Sequence, residues 1–225
     1  MNPLLDREQQ ALLDEIRADV TATRHLTGCS ALHPRVLQAM RRVPRHAFVP
    51  ATLQGCAYAN RPLPIGHGQT ISQPYIVALM TELIHPRSED VVLEIGTGSG
   101  YQAAVLASLV KQVYSIEIVD ALAQQARARL RALGFDNVAV RAANGRLGWP
   151  EHAPYDAILV TAAAPEIPPA LIEQLKPGAT LVIPVGPRHG GQSLHVVSKD
   201  GQGRIEDRCA LSVIFVPLVD VPDAS

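Results

Sequence analysis

Residues 91–109, VVLEIGTGSGYQAAVLASL, carry the reading on which the fold of this chain turns. Val91 to Ile95 form a short run rich in β-branched residues and apolar except for Glu94. Such a run reads as a strand. Glycines follow at 96, 98 and 100, and from Tyr101 the composition is that of a helix. Strand, glycine turn and helix in that order allow a tight turn and the close approach of a ligand to the backbone. The spacing is G-x-G-x-G, out of register with the dinucleotide fingerprint G-x-G-x-x-G, and Ala103 and Ala104 continue the helix instead. Taken alone, the turn fits a ligand loop or a plain glycine-rich connection.

Outward from this unit the same alternation repeats. Strands are expected at QVYSIEI (112–118), NVAVRA (137–142), YDAILVT (155–161) and ATLVIPV (179–185), with helices near 100–110, 119–133 and 168–175. Short apolar strands alternating with amphipathic helices are the pattern of a parallel sheet with crossover helices. SLHVVSK (193–199) and CALSVIFVPLV (209–219), joined by the turn-rich DGQGR, suit an antiparallel pair at the sheet edge. At the other end, Leu4, Leu5, Leu12, Leu13 and Ile16 share one helical stripe, and Pro34 stands where a first helical turn accepts it. The fold class expected is α/β: a Rossmann-like doubly wound sheet, mostly parallel with an antiparallel C-terminal edge, plus an N-terminal helical segment. One domain is expected, divided into a helical segment at 1–60, a loop region at 61–90, a ligand-binding core at 91–190 and C-terminal strands at 191–225.

With 225 residues, a formal charge of −1 and a pI near 6.7, the chain has no basic field to attract nucleic acid or an anionic membrane. Cys29, Cys56 and Cys209 lie far apart without metal-ligand spacing, which fits a reduced, cytoplasmic setting and no metal. The charged N-terminus lacks the apolar core of a signal peptide.

Glu117 ends the strand after the glycine loop, at about the distance where a carboxylate meets ribose hydroxyls in doubly wound folds. Ligands of open α/β sheets bind beyond the carboxyl ends of the strands, so Glu94, Glu117, Asn144 and Thr161 are expected to gather on one edge. The stretch LEIGTGSGYQ (93–102) resembles the first motif of class I S-adenosylmethionine-dependent methyltransferases, and VTAAAPEIPPALIEQLKPGATLVIPVG (160–186) resembles their later motifs. PLPIGHGQTISQPYIVALMTEL (62–83) narrows the resemblance to protein-L-isoaspartate O-methyltransferases, with TISQP its most discriminating part. The similarity extends from VLQAMRRVPRHAFVP (36–50) to VIFVPL (213–218).

That resemblance implies methyl transfer from S-adenosyl-L-methionine, leaving S-adenosyl-L-homocysteine, to the carboxylate of an L-isoaspartyl residue in an aged protein or peptide. It implies a cofactor set of Glu94, Gly96, Gly98, Gly100, Glu117, Asn144, Gly145 and Thr161. It also places the acceptor at Thr70, Ser72, Gln73 and Val213, with Ser72 as the active-site residue that holds the acceptor carboxylate. Expected partners are isoaspartyl proteins and peptides, without nucleic acid or membrane, and the expected state is a monomer. Amides at the start of a helix near Pro74 suit an anion, though Thr70 or Ser72 can equally cap that helix, and the two roles are compatible. His67, between two glycines, reads as a turn residue. Arg41, Arg42 and Arg45 read as a solvated helix face.

The family commonly has Gly-Asp-Gly where this chain has Ala143-Asn144-Gly145; an asparagine oxygen still accepts from an exocyclic amine but lacks the charge. Competing readings are a class I methyltransferase with a small-molecule carboxylate acceptor, which needs a closed pocket, a non-catalytic binder of damaged chains and, more distantly, a nicotinamide dehydrogenase.

Overall fold

A computed structural model of the chain describes residues 3–187 and 190–220. The predicted pattern appears as a seven-stranded sheet between helical layers. Helices α1 (Pro3–Thr27) and α2 (Pro34–Arg42) precede a two-stranded hairpin, β1 (Leu63–Gly66) and β2 (Gln69–Ile71), and then α3 (Pro74–Leu83). The main sheet follows as β3 (Val91–Ile95), α4 (Tyr101–Ala107), β4 (Gln112–Glu117), α5 (Asp120–Ala132), β5 (Val138–Ala142), β6 (Tyr155–Val160), α6 (Pro169–Glu173), β7 (Leu175–Val185), β8 (Gln192–Lys199) and β9 (Ile205–Val213).

The strand order is β5-β4-β3-β6-β7-β8-β9. β5 to β7 are parallel, while β8 and β9 run antiparallel at the edge. The chain winds outward from β3 through β4 and β5, then returns to lay β6 on the other side of β3. The crevice of a doubly wound sheet therefore opens beyond the ends of β3 and β6.

Alternation along β3 decides what lies on each face. Leu93 and Ile95 pack with Ile158, Val160, Leu171 and Ile183 in one apolar cluster, while Val92 joins the larger cluster built from the N-terminal helices, α3 and α4. In α1, Leu12, Leu13 and Ile16 are buried as the stripe predicts, and Val20 extends it. Leu5 is half-buried, and the side chain of Leu4 lies outside the described set. His33 caps α2, its Nδ1 accepting from the Arg35 amide, and Pro34 occupies the first turn.

Two local features differ from expectation. Residues 63–71 are not an open loop but a hairpin turning at His67 and Gly68, both with positive φ. Arg41 and Arg42 are exposed, but Arg45 is fully buried, because α2 stops at Arg42 and the following 3-10 turn, Arg45–Phe48, folds back into the core.

Candidate functional site

The glycine loop is built from the backbone outward. Gly96, Gly98 and Gly100 all have positive φ, and Gly96 has a second constraint: a Cβ there would meet Thr161 Oγ1 at 2.3 Å. Thr161 follows β6 and donates from Oγ1 to the carbonyl of Gly96 at 2.6 Å, tying the loop to the neighbouring strand. Gly100 serves a different purpose. Its missing side chain makes room for Leu130 and Ala126 of α5, so this glycine seats the helix behind the loop.

Glu117, 6% exposed, lies beside the loop at the end of β4. Its Oε2 accepts from the Gly98 amide at 2.7 Å and its Oε1 from the Val119 amide at 3.0 Å. Both oxygens keep lone pairs in reserve, since an ionised carboxylate offers about four acceptor positions. Gly96, Gly98, Glu117, Gly145, Thr161 and the tail residues Val216–Val219 line one crevice. A Cβ at Gly145 would meet Ile95 Cγ2 at 2.3 Å, so this glycine lets the segment close over the tip of β3.

Glu94 and Asn144 occupy other places. Glu94 is fully buried below the loop, where Ser115, its register partner on β4, donates to Oε2; Oε1 has no partner among the described residues. Burial pushes the Glu94 carboxyl up to about 8, and the nearby Glu117 carboxylate adds to the rise, against the lowering effect of the Ser115 hydroxyl. A carboxyl raised in the fold above its ordinary ~4.3 stabilises the folded state fully at low pH and loses that contribution as pH climbs to and through the folded value. Wild-type unfolding midpoints are therefore expected to fall between about pH 5 and 8 by more than those of Glu94→Gln, which cannot titrate. Denaturant titrations of both proteins across this range check it, and parallel curves would refute it.

Asn144 Oδ1 accepts from the Arg146 amide at 2.9 Å, capping the turn at 145–147, while Nδ2 donates to Asp220 at 3.3 Å. The Asp220 carboxylate also pairs with Arg146 Nε at 3.2 Å. The asparagine thus organises the segment whose Gly145 lines the crevice.

On the other side of Thr161 lies a cleft of about 850 Å³, lined by Asp19, Thr23, Thr70, Ser72, Gln73 and Val213, among others. The four acceptor candidates come together here. Gln73 is the N-cap of α3 and makes no side-chain capping bond, and no described residue partners the Thr70 or Ser72 hydroxyl. The capping role is therefore not taken up. Fewer helix amides are free than expected, because Pro74 has none and the Tyr75 amide donates to Asn60 Oδ1 at 3.0 Å. Thr70 and Thr161 line the crevice and the cleft alike, so the two spaces meet there. Ile214, just after β9, lines the cleft and is 89% exposed.

The hairpin was the part of the site hidden from sequence reading. The signal for it was present in Gly66-His67-Gly68 between two short runs, a tight turn requiring positive φ. Among the described residues no cluster of acidic, histidine or cysteine side chains could hold a metal, and no helix is long and apolar enough to cross a membrane.

Residues 21–222 match the family model described as protein-L-isoaspartate(D-aspartate) O-methyltransferase. The chain is 58% identical over 207 residues to protein-L-isoaspartate O-methyltransferase 2 of Syntrophobacter fumaroxidans, covering 92% of this chain and 84% of that one. It is 59% identical to the protein of the same name from a Polaromonas species, covering 92% and 98%. Among solved structures, a protein-L-isoaspartate O-methyltransferase superposes with a TM-score of 0.80 at 26% identity, over 93% of this chain and 65% of that chain. A structure from Plasmodium falciparum, described as a beta-aspartate methyltransferase in complex with S-adenosyl-L-homocysteine, shares the fold with a TM-score of 0.75 at 24% identity, over 94% and 98%.

Proposed function

Because the chain belongs to the protein-L-isoaspartate(D-aspartate) O-methyltransferase family, we propose that its crevice and cleft are the cofactor and acceptor halves of one active site. The enzyme is an S-adenosylmethionine-dependent methyltransferase acting on the carboxylate of L-isoaspartyl residues. The observation that carries the division is the meeting of the two spaces at Thr70 and Thr161. A methyl donor on one side and a carboxylate on the other reach each other only at such a junction.

The crevice residues fit S-adenosylmethionine. Gly96 and Gly145 line the crevice and admit no side chain, and Glu117 presents a buried carboxylate to ribose hydroxyls. When bound, the cofactor supplies an electrophilic methyl group on a sulfonium. Glu94 and Gly100 support this loop from below and behind, and Asn144 shapes the segment that carries Gly145. The homocysteine form held by the Plasmodium falciparum structure is the matching product.

In the acceptor half, Ser72 donates its hydroxyl to the isoaspartyl carboxylate, and Thr70 stands at the junction beside it. Gln73 and the backbone around Val213 flank the peptide. A carboxylate of ordinary pKa near ~4 is already ionised at neutral pH, so no general base is needed. The chain contributes orientation, which can lower a barrier by several kcal/mol when the reacting atoms are held in line. The size of the cleft and the exposure of Ile214 on its lining favour an extended peptide over a small molecule.

The described segments act as a single methyltransferase domain, because the N-terminal helices share one core with α3 and α4. A monomer is proposed, and light scattering near 24.1 kDa would support it. The free, unpaired cysteines suit the cytoplasm. The decisive assay offers labelled S-adenosylmethionine with two peptides that differ only in L-isoaspartate against L-aspartate. Base-labile label on the isoaspartyl peptide alone is expected. Equal labelling of both, or of neither while S-adenosylhomocysteine still binds, would overturn the acceptor assignment.

A further inference from the structure

Arg45 is a guanidinium with no exposed surface and, among the described residues, no carboxylate partner. Burying a cation without a counter-charge costs several kcal/mol. A fold that retains one uses it for something an apolar side chain cannot do. Its contacts show what that is. Nε donates to the Ala57 carbonyl at 2.9 Å, and one terminal nitrogen donates to the Ser72 carbonyl at 2.8 Å and, at 3.4 Å, to that of Arg61. The guanidinium carbon lies 4.9 Å from the centroid of the Tyr101 ring. The remaining nitrogen, Nη1, has no partner among the described residues.

These contacts join three parts of the molecule. Ala57 and Arg61 bracket the strap that also delivers Asn60 to the first turn of α3. Ser72 is the acceptor residue. Tyr101 is the first residue of α4, directly after the glycine loop. Between Ser72 and Tyr101 is a small cavity of about 30 Å³ lined by Thr70, Ser72, Gly96, Gly98 and Thr161, which is where the two halves of the site adjoin.

We propose that Arg45 is a positioning residue for methyl transfer: it clamps the Ser72 carbonyl against the start of α4 and so sets the separation between the acceptor hydroxyl and the cofactor loop. Only arginine suits the place. Its planar fork reaches several carbonyls at once and lies on an aromatic face, whereas a lysine ammonium is a compact point charge that would reach fewer of them. The desolvated ring contact adds to the hold.

The inference rests on the assignment of the acceptor carboxylate to Ser72, and the test separates the two. Wild type, Arg45→Lys, Ser72→Ala and the double variant are assayed with an isoaspartyl peptide at saturating S-adenosylmethionine, and S-adenosylhomocysteine affinity is read by calorimetry. Arg45→Lys is expected to lower kcat about tenfold in the wild-type background and less than about threefold in the Ser72→Ala background, because the loss runs through Ser72. Cofactor affinity should stay within about twofold. Equal losses of kcat in both backgrounds, or no loss, would overturn the clamp while leaving the Ser72 assignment standing. Full turnover by Ser72→Ala alone would overturn that assignment and the clamp with it. If Arg45→Lys does not fold, Arg45→Gln goes through the same cycle; failure of both to fold would make Arg45 a requirement of the core and refute a positioning role.

Discussion

Replacing Ser72 by alanine is expected to lower turnover of an isoaspartyl peptide about tenfold to a hundredfold, the loss that follows from removing one hydrogen bond to a charged group of about 1.5–3 kcal/mol. The reason lies in how the hydroxyl is left. Helix α3 is capped by Gln73 without any side-chain bond, so Ser72 is not consumed in holding the helix. The Tyr75 amide is taken by Asn60, so the helix end offers less help to an anion than a bare N-terminus would. The hydroxyl is therefore left without a described partner in the cleft, as the proposed acceptor role requires. S-adenosylhomocysteine affinity should remain within about twofold, because Ser72 does not line the cofactor crevice. Steady-state kinetics with saturating peptide, paired with calorimetry, decide the matter. Unchanged kcat would remove Ser72 from the mechanism, and a large loss of cofactor affinity would mean that the substitution disturbed the loop instead.

Glu117→Ala should weaken binding of S-adenosylhomocysteine on the order of a hundredfold, since two charge-assisted hydrogen bonds of about 1.5 kcal/mol each would be lost to the ribose. Further damage comes from inside the protein. The Gly98 and Val119 amides both donate to this carboxylate, and without it the middle of the glycine loop loses its anchor. Glu117→Gln keeps one carbonyl oxygen and should fall between the two. Turnover at saturating cofactor should change far less than affinity, because the acceptor half is untouched. Calorimetry showing equal affinity for wild type and Glu117→Ala would refute the ribose assignment. A kcat collapse at saturating cofactor would place Glu117 in the chemistry rather than in binding.

Most of the fold could be read from periodicity. The central parallel strands were short apolar runs, because a strand covered on both faces has no polar side to show, and the crossovers after β3, β4 and β6 carried helical segments, whereas the link from β5 to β6 holds only two 3-10 turns. The edge strands were harder to delimit. β9 begins at Ile205, within a polar stretch, and its first five residues are exposed on both faces, which tolerates Glu206 and Asp207. The hairpin at 63–71 carries too little pattern to register as strands in the sequence, since its two strands span only four and three residues.

Local sequence determined the parts of the site made by backbone geometry. Gly96, Gly98 and Glu117 meet because a strand, a turn and the next parallel strand leave few places for them. Tertiary structure alone decided the rest. Arg45 looks like its exposed neighbours Arg41 and Arg42 in a linear reading, yet it is buried because α2 stops three residues earlier and the chain turns inward. Whether the Ser72 hydroxyl is needed at the start of α3 depends on Asn60 arriving from elsewhere to take the Tyr75 amide. Glu94 and Asn144 have residue types that suit a ligand, but strand alternation sends one into the core and a local turn occupies the other. The physical distinction is one of range: turn and strand propensities act between adjacent residues and are written in sequence, whereas burial and hydrogen-bond partnership are settled only when distant segments compete for the same space.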